Sequence, residues 1–458
     1  MSKQFINDML KNYKERRPAR FHMPGHKGRV NPLDVTEINM TDDLNNPQTY
    51  IMQAQRALSE SYNSAESFFL VNGSTGGIHT MLQYVAAKSD YPILISRNAH
   101  KSIISGCMFF NIQTIVADEV FDEEQQVFLH NQQKIIDYIS STKLSAVVMT
   151  SVDYFGRVMD LSEISKACRR NNVLLLCDEA HGAHFHITPM LPDSALKYTD
   201  ICVHSPHKTL SAMTQCSYIH ISEKIDTAKF RSLMYSMQTS SPSFLLMKSM
   251  DDARHYGDIM KRQWEKRIEQ TGKLESRLNS ITGIKVMDNH WAENTGYSWK
   301  DPTRLVIDVS RIGSGIEISK ILEDKHNVFM EMATFKYIVA ILTPWDRKKW
   351  DRMLYKALSK IAELKLNKYK IPQYPQKRVE YTGLINTEKL EWERVSIKKA
   401  QNKTAAQSIG AYPPGVPLVL PGEEISTETI KYMQQIERLR GSLFGVENGY
   451  IYCIKKEH

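Results

Sequence analysis

Within five positions, 204–208, the stretch "VHSPHKTLSAM" (203–213) places two histidines, a serine and Lys208 at the downstream edge of an apolar run. An amine enclosed in such surroundings is harder to protonate and becomes a nucleophile. Thirty residues earlier, "LLLCDEAHGAHFH" (174–186) sets Asp178 directly after a second apolar run. A carboxylate at the end of a buried strand costs several kcal/mol unless a cation meets it. A third cluster, "VNGSTGGIHTML" (71–82), places Gly73, Ser74, Thr75, Gly76 and Gly77 before an apolar helical pattern. Glycines there let the backbone approach closely, helix-start amides point at an anion and two hydroxyls add donors, which suits a phosphate. The same residues also suit a plain helix-capping turn. Neither the GxxxxGK[ST] nor the GxGxxG spacing is present.

The elements that must position these residues are short apolar runs, "SFFLV", "VLLLC" and "DICVH", each followed by polar or glycine-rich residues. Such runs read as buried strands. The helical patterns "GIHTMLQYVAAK" and "LSEISKACRRNN" alternate with them, which predicts a doubly wound, mainly parallel sheet. Ligands in that architecture sit beyond the carboxyl ends of the strands, where all three clusters fall. After about Asp251 the pattern predicts one long charged helix, "ARHYGDIMKRQWEKRIEQTGKLESRLNSI", leading into a second α/β region with strands in "TRLVIDVS" and "YIVAILTP". A helix over "WDRKKWDRMLYKALSKIAEL" and a proline-marked linker, "NKYKIPQYPQK", follow. The expected organisation is an amino-terminal arm (1–45), a large domain (46–275), a small α/β domain (276–372) and a C-terminal domain (373–458).

Composition narrows the function classes. At 458 residues the chain exceeds one ordinary core, and 42% hydrophobic with 24% charged residues describes a soluble globular protein. No apolar run approaches the roughly 18 to 20 residues needed to span a bilayer, and the start lacks an apolar signal core, so a cytoplasmic protein is expected. Six cysteines without a Cys-x-x-Cys pair argue against a zinc ribbon, a redox dithiol and a disulfide framework. The net charge of +8 comes from Lys and Arg interleaved with Asp and Glu, which reads as a solvated surface and not a nucleic-acid patch. Metal ligation by Asp178, Glu179, His181, His184 and His186 is the rival reading of the second cluster. It lacks an HExxH arrangement, and the extended "HGAHFH" offers no helical spacing for joint ligation.

A phosphate cradle, a strand-end aspartate and a strand-end lysine, in that chain order on one sheet edge, are the parts needed to hold pyridoxal 5'-phosphate. The lysine attaches the cofactor through a Schiff base, the aspartate keeps the pyridine nitrogen protonated and the cradle holds the phosphate. The sequence resembles the bacterial ornithine/lysine/arginine decarboxylases, pyridoxal-phosphate enzymes of fold type I. The resemblance runs through "FHMPGHKGR" (21–29), "TDDLNNP" (41–47), "FFLVNGSTGG" (68–77), "RNAHKS" (97–102), "DEAHGAHF" (178–185), "HSPHKTLSAMTQ" (204–215), "QTSSPSF" (238–244), and "YPPGVP" with "PGE" (412–417, 421–423).

The resemblance implies that Lys208 carries the cofactor, that Asp178 partners the pyridine nitrogen and that His100 stacks on the ring. It implies phosphate contacts from Ser74, Thr75, Ser205 and His207, with His181 beside the ring near Asp178. It also implies that Ser241 reaches a neighbouring subunit's site, in a homodimer or dimer of dimers. His26 and Lys27 lie near the site on this view or belong to a structural arm. The implied reaction is decarboxylation of a basic L-amino acid, arginine foremost, with Lys208 or His207 returning the proton to Cα. The carboxylates implied for the substrate's distal cation are Glu331 and Glu423. "TSVDYFG" (150–156) departs from the family's pattern at Val152 and Asp153, and the amino-terminal wing domain of the long family members is absent before "HMPGHK". Transamination, aldol cleavage and a non-catalytic binding role are the competing expectations.

Overall fold

The computed structural model describes residues 3–117, 119–364, 370–375, 384, 386–412 and 415–455. Part of the expected linker at 367–377 and the two prolines of "YPPGVP" lie outside these described residues. The predicted apolar runs form strands Glu66–Leu70, Leu174–Asp178 and Ile201–His204. They join Ile93–Ser96, Thr114–Ala117, Ala146–Thr150 and Ser217–Ile221 in a seven-stranded sheet. Its spatial order is Glu66–Leu70, Ser217–Ile221, Ile201–His204, Leu174–Asp178, Ala146–Thr150, Ile93–Ser96, Thr114–Ala117. Ser217–Ile221 runs antiparallel to both of its neighbours and the remaining pairings are parallel. Six strands therefore point the same way, and their carboxyl ends share one edge. Apolar clusters cover both faces: Ile78, Met81 and Ile103 lie on one side, and Ile139, Ile164 and Cys168 on the other.

The Gly73–Ala86 helix follows the first strand and begins earlier than the pattern predicts, so Ser74 and Thr75 sit in its first turn. Gly77 lets that turn lie against the sheet, because a Cβ there would come within 2.8 Å of Leu70 Cδ1 and 3.0 Å of Val203 Cγ2. The long charged helix expected after Asp251 is two helices, Phe244–Ile259 and Lys261–Asn279. They are interrupted at Met260, whose φ of −100° and ψ of 22° leave the helical region. Charge and amphipathicity continue across such a break, so periodicity alone reads through it.

The small domain is a four-stranded antiparallel sheet ordered Lys285–Val286, Arg304–Asp308, Tyr337–Ile341, Met332–Ala333. Helices Gly315–His326 and Lys348–Ala362 pack on it through Ile318, Leu322, Leu354 and Leu358. The C-terminal region builds a three-stranded sheet (Pro417–Val419, Ile409–Tyr412, Ser442–Phe444), a Trp392–Ser396/Tyr450–Ile454 ribbon and the helix Thr427–Arg438. Trp299–Lys300 pairs with Arg157–Val158 of the large domain, and this pairing ties the small domain to the sheet edge that carries the polar clusters. Among the described residues no helix is long and apolar enough to cross a membrane.

Gly77→Val should push the first helical turn off the sheet. Overpacking of this kind costs about 1–3 kcal/mol, so the thermal midpoint should drop measurably in scanning calorimetry, whereas Gly272→Val, with open space at its Cβ, should cost far less at that position.

Candidate active site

A cavity of about 700 Å³ opens at the carboxyl edge of the sheet. Its wall includes Gly73, Ser74, Thr75, His100, Asp178, His181, Ser205, His207, Lys208 and Glu331, so most of the residues expected from the sequence meet in one place. Each arrives by a short local route. Asp178 is the last residue of its strand, Lys208 lies on the short helix Pro206–Thr209 just beyond Ile201–His204, and His100 follows Ile93–Ser96 by four residues.

The phosphate-side geometry joins two of the clusters. Ser74 Oγ hydrogen-bonds Ser205 Oγ and lies 3.3 Å from Ser217 Oγ. Gly73 adopts φ +74°, a left-handed turn that favours glycine. Asn72, preceding the helix, makes no side-chain cap, so the amides of the first turn remain available to an anion. These residues fit a phosphate-bearing cofactor of the kind expected.

Asp178 is buried, and Ala180 donates its N–H to Oδ1 at 3.1 Å. His100 caps the helix Lys101–Phe109. Ser102 N–H donates to its Nδ1 at 3.3 Å, and Ser102 Oγ is 2.8 Å from the same nitrogen. Burial pushes the His100 imidazole down to about 4, against the opposing pull of Asp178, so its ring is neutral at physiological pH. His207 Nδ1 donates to Cys216 O at 2.7 Å, and burial likewise lowers its pKa. Lys208 Nζ stands 3.0 Å from His181 Nε2 and 5.4 Å from the centroid of the Tyr154 ring. Burial lowers the lysine's pKa, with Asp178 opposing the shift.

Four candidates from the sequence, Glu423, Ser241, His26 and Lys27, do not line this chain's cavity. Glu423 is not on the cavity wall: its carboxylate accepts from Arg97 at 3.1 Å and from the Leu420 N–H, which ties it into the C-terminal turn. Ser241 lies in the exposed 239–241 segment, 3.2 Å from Thr239 Oγ1 and away from this chain's cavity. His26 pairs with Asp34 at 3.0 Å, and Lys27 donates to His22 O within the same amino-terminal segment.

The rival ligand set also separates. His184 pairs with Asp301 at 3.2 Å, and the His186 ring packs 3.9 Å from that of Tyr62. Glu179 accepts from Ser151 Oγ and Ala195 N at 2.8 Å each and pairs with His204 at 2.7 Å. Glu179, Cys202 and His204 are close enough together to suit an ion, but the carboxylate and the imidazole are bonded directly to each other. At the departure from the family pattern, Asp153 pairs with Arg157 at 2.7 Å and Val152 bridges to Val158, so both residues build the turn.

Two residues at the site were missed. Tyr154 lies in that turn, lines the cavity and places its ring 4.4 Å from that of His181. Arg304, fully buried at the head of its small-domain strand, places Nη2 at 3.2 Å from His181 Nδ1. A charged residue flanking an apolar run was the signal used for Asp178 and Lys208, and "TRLVIDVS" carries it as well.

Burial holds the imidazoles of His100 and His130 down to about 4 and that of His186 to about 3. A histidine in the unfolded chain protonates near 6.5. Between these values the unfolded chain takes up protons that the folded one refuses, so stability is lost as pH falls from 6.5 towards 4. The thermal midpoint should fall through that window. A midpoint that stays flat would contradict the neutral buried rings.

Residues 29–349 match the model of the Orn/Lys/Arg decarboxylase major domain, and residues 376–450 that of the Orn/Lys/Arg decarboxylase C-terminal domain. The chain is 30% identical over 452 residues to an arginine decarboxylase of Bacillus subtilis, covering 93% of this chain and 91% of that protein. It is 28% identical to an arginine decarboxylase of Halalkalibacterium halodurans, covering 96% and 95%. In structure it is similar to the constitutive lysine decarboxylase of Escherichia coli, with a TM-score of 0.81 at 16% identity over 99% of this chain and 82% of that one.

Proposed function

The chain belongs to the Orn/Lys/Arg decarboxylase family of pyridoxal-phosphate-dependent carboxy-lyases, in a short form similar to the Bacillus arginine decarboxylases, and we propose that it converts L-arginine to agmatine and CO₂. The observation that carries this reading is the single cavity in which Lys208, Asp178, His100 and the Ser74–Ser205 pair meet beneath Glu331. Arginine as the substrate is supported by the relatives named arginine decarboxylase.

When bound, pyridoxal phosphate supplies the electron sink that takes up the pair left on Cα as CO₂ departs. The protein's part is attachment, orientation and proton control. Ser74, Thr75, Ser205 and the amides of the first helical turn hold the phosphate. Lys208 provides the attaching amine, and burial lowers its pKa, which favours the nucleophilic form. Asp178, buried and acceptor-only when ionised, keeps the proton on the pyridine nitrogen. His100 covers one face as an uncharged ring, which avoids setting a second cation against that nitrogen. Lys208 as the ammonium, or His207 as the imidazolium with its Nδ1–H held on Cys216 O, would return a proton to Cα.

Glu331 offers the substrate a carboxylate from the small domain, exposed on the cavity wall. A planar guanidinium pairs with a carboxylate through two parallel hydrogen bonds, an arrangement an ammonium does not match. Holding the distal cation there orients the α-carboxylate for cleavage in preference to the other bonds at Cα.

Incubation with arginine, lysine and ornithine, followed by product identification, tests the reading: agmatine with stoichiometric CO₂ is expected. Cadaverine or putrescine as the main product would overturn the substrate, and a keto acid would overturn the reaction. Glu331→Gln should raise KM for arginine by about ten- to a hundredfold, the cost of a charge-assisted hydrogen bond. Asp178→Asn should retain cofactor absorbance while kcat falls by about 10²–10³, on the scale of losing one preorganised electrostatic group; near-wild-type turnover would contradict its assigned role.

A further inference from the structure

The hydrogen bonds around His181 determine where its proton lies. Arg304 Nη2 stands 3.2 Å from Nδ1, and a guanidinium can only donate, so Nδ1 is the acceptor. A neutral imidazole carries one proton, which is then on Nε2 and directed at Lys208 Nζ 3.0 Å away. That bond forms only if Nζ presents a lone pair. An ammonium at the same place would set N–H against N–H.

We propose that Arg304 is a positioning residue: by donating to Nδ1 it holds His181 in the Nε2–H tautomer, and through it keeps Lys208 as the free amine in the cofactor-free site. The inference rests on the reading of Lys208 as the lysine that receives the cofactor. The alternative state, a protonated His181, would place a second cation directly against the guanidinium at a buried position. Burial lowers the pKa of Arg304, and the carboxylates around it oppose that shift. Asp301, Glu331 and Asp153 face it from the small domain and the 153–157 turn, and Asp301 is itself held below the usual carboxylate range by His184 and Arg304. Asp178 and Glu331 face Lys208 with the opposite effect, and His100, His207 and Tyr154 complete the ring of titratable groups about the lysine and the imidazole.

Arg304 is also built into place. It is fully buried, its backbone N–H donates to Asp301 O at 3.0 Å, and its side-chain stem runs against Gly156, where a Cβ would come within 2.5 Å of Arg304 Cβ. Gly156 has φ +76°, so the turn carrying Asp153 and Tyr154 is shaped around this arginine. Among the described residues Nε and Nη1 find no hydrogen-bond acceptor, which leaves His181 as the side-chain acceptor that orients the guanidinium.

The test reads the amine and not the reaction. Full-length protein stripped of cofactor is labelled with trace acetic anhydride across a pH series, and modification of the Lys208 peptide is followed by mass spectrometry. Arg304→Gln removes the charge and frees His181 to present a lone pair at Nε2, so the Lys208 midpoint should rise by about one unit or more, a roughly tenfold loss of free amine at neutral pH. Reassociation with pyridoxal phosphate, followed by absorbance at pH 7.5, should slow by a similar factor. Arg304→Lys, still a donor, should restore most of both. If Arg304→Gln does not fold, His181→Gln carries the same test, because its amide oxygen accepts from an ammonium and should raise the midpoint. An unchanged midpoint in either folded variant overturns the proposal, as does a loss in Arg304→Lys equal to that in Arg304→Gln. Borohydride reduction and peptide mapping of the loaded wild-type enzyme locate the cofactor-bearing lysine separately, so failure of the underlying reading is distinguished from failure of this one.

Discussion

The burial of one amine, Lys208, beside an imidazole and two carboxylates is the constraint on which the site depends. Burial lowers the pKa of Lys208, and Asp178 and Glu331 oppose the shift. The imidazole at 3.0 Å is itself kept neutral by burial and by the guanidinium on its other side. Lysine, imidazole and guanidinium thus form a row in which only the last is obliged to be charged. Asp178 ends the neighbouring strand and lines the same cavity.

That row draws on residues from two sheets, the seven-stranded and the four-stranded one, and this makes their packing against each other a requirement of the site. Lys208 and His181 leave the large sheet at neighbouring strand ends, whereas Arg304 and Glu331 come from the small domain. The Trp299–Lys300 pairing with Arg157–Val158 and the buried His184–Asp301 pair lie just beside this junction and set its register. The turn between Val152 and Val158 supplies the other half of the fit. Its Asp153–Arg157 pair closes the loop, Gly156 admits the Arg304 stem, and Tyr154 is thereby aimed at the imidazole. A departure from the family's pattern at 152–153 is accommodated inside the turn.

Behind the cavity, a second polar layer fixes the loop that carries His181. Glu179 takes hydrogen bonds from Ser151, Ala195 and His204, and His204 continues to His220 at 3.1 Å and on to Ser67 at 2.7 Å. Buried polar atoms are tolerated when they satisfy one another, and such a network admits one arrangement where an apolar contact would admit several. The position of the 178–186 loop is therefore set from behind as well as from the cavity side.

From the sequence alone, the three polar clusters were legible because each follows a short apolar run, and a parallel sheet collects the carboxyl ends of such runs at one edge whatever the loops do. Lys208, Asp178 and Ser74 could be named for that reason, and with them the cofactor, and the resemblance of eight motifs in chain order added His100 and the reaction. The helix broken at Met260, the capture of Glu423 by Arg97 and the place of Arg304 beside His181 could not be read this way. Periodicity reports which face of an element is apolar, and it is silent on how two domains meet or which of several carboxylates finds a nearer cation first. Those outcomes depend on distances between residues far apart in the chain, such as the 123 positions separating His181 from Arg304, and only packing in three dimensions sets them.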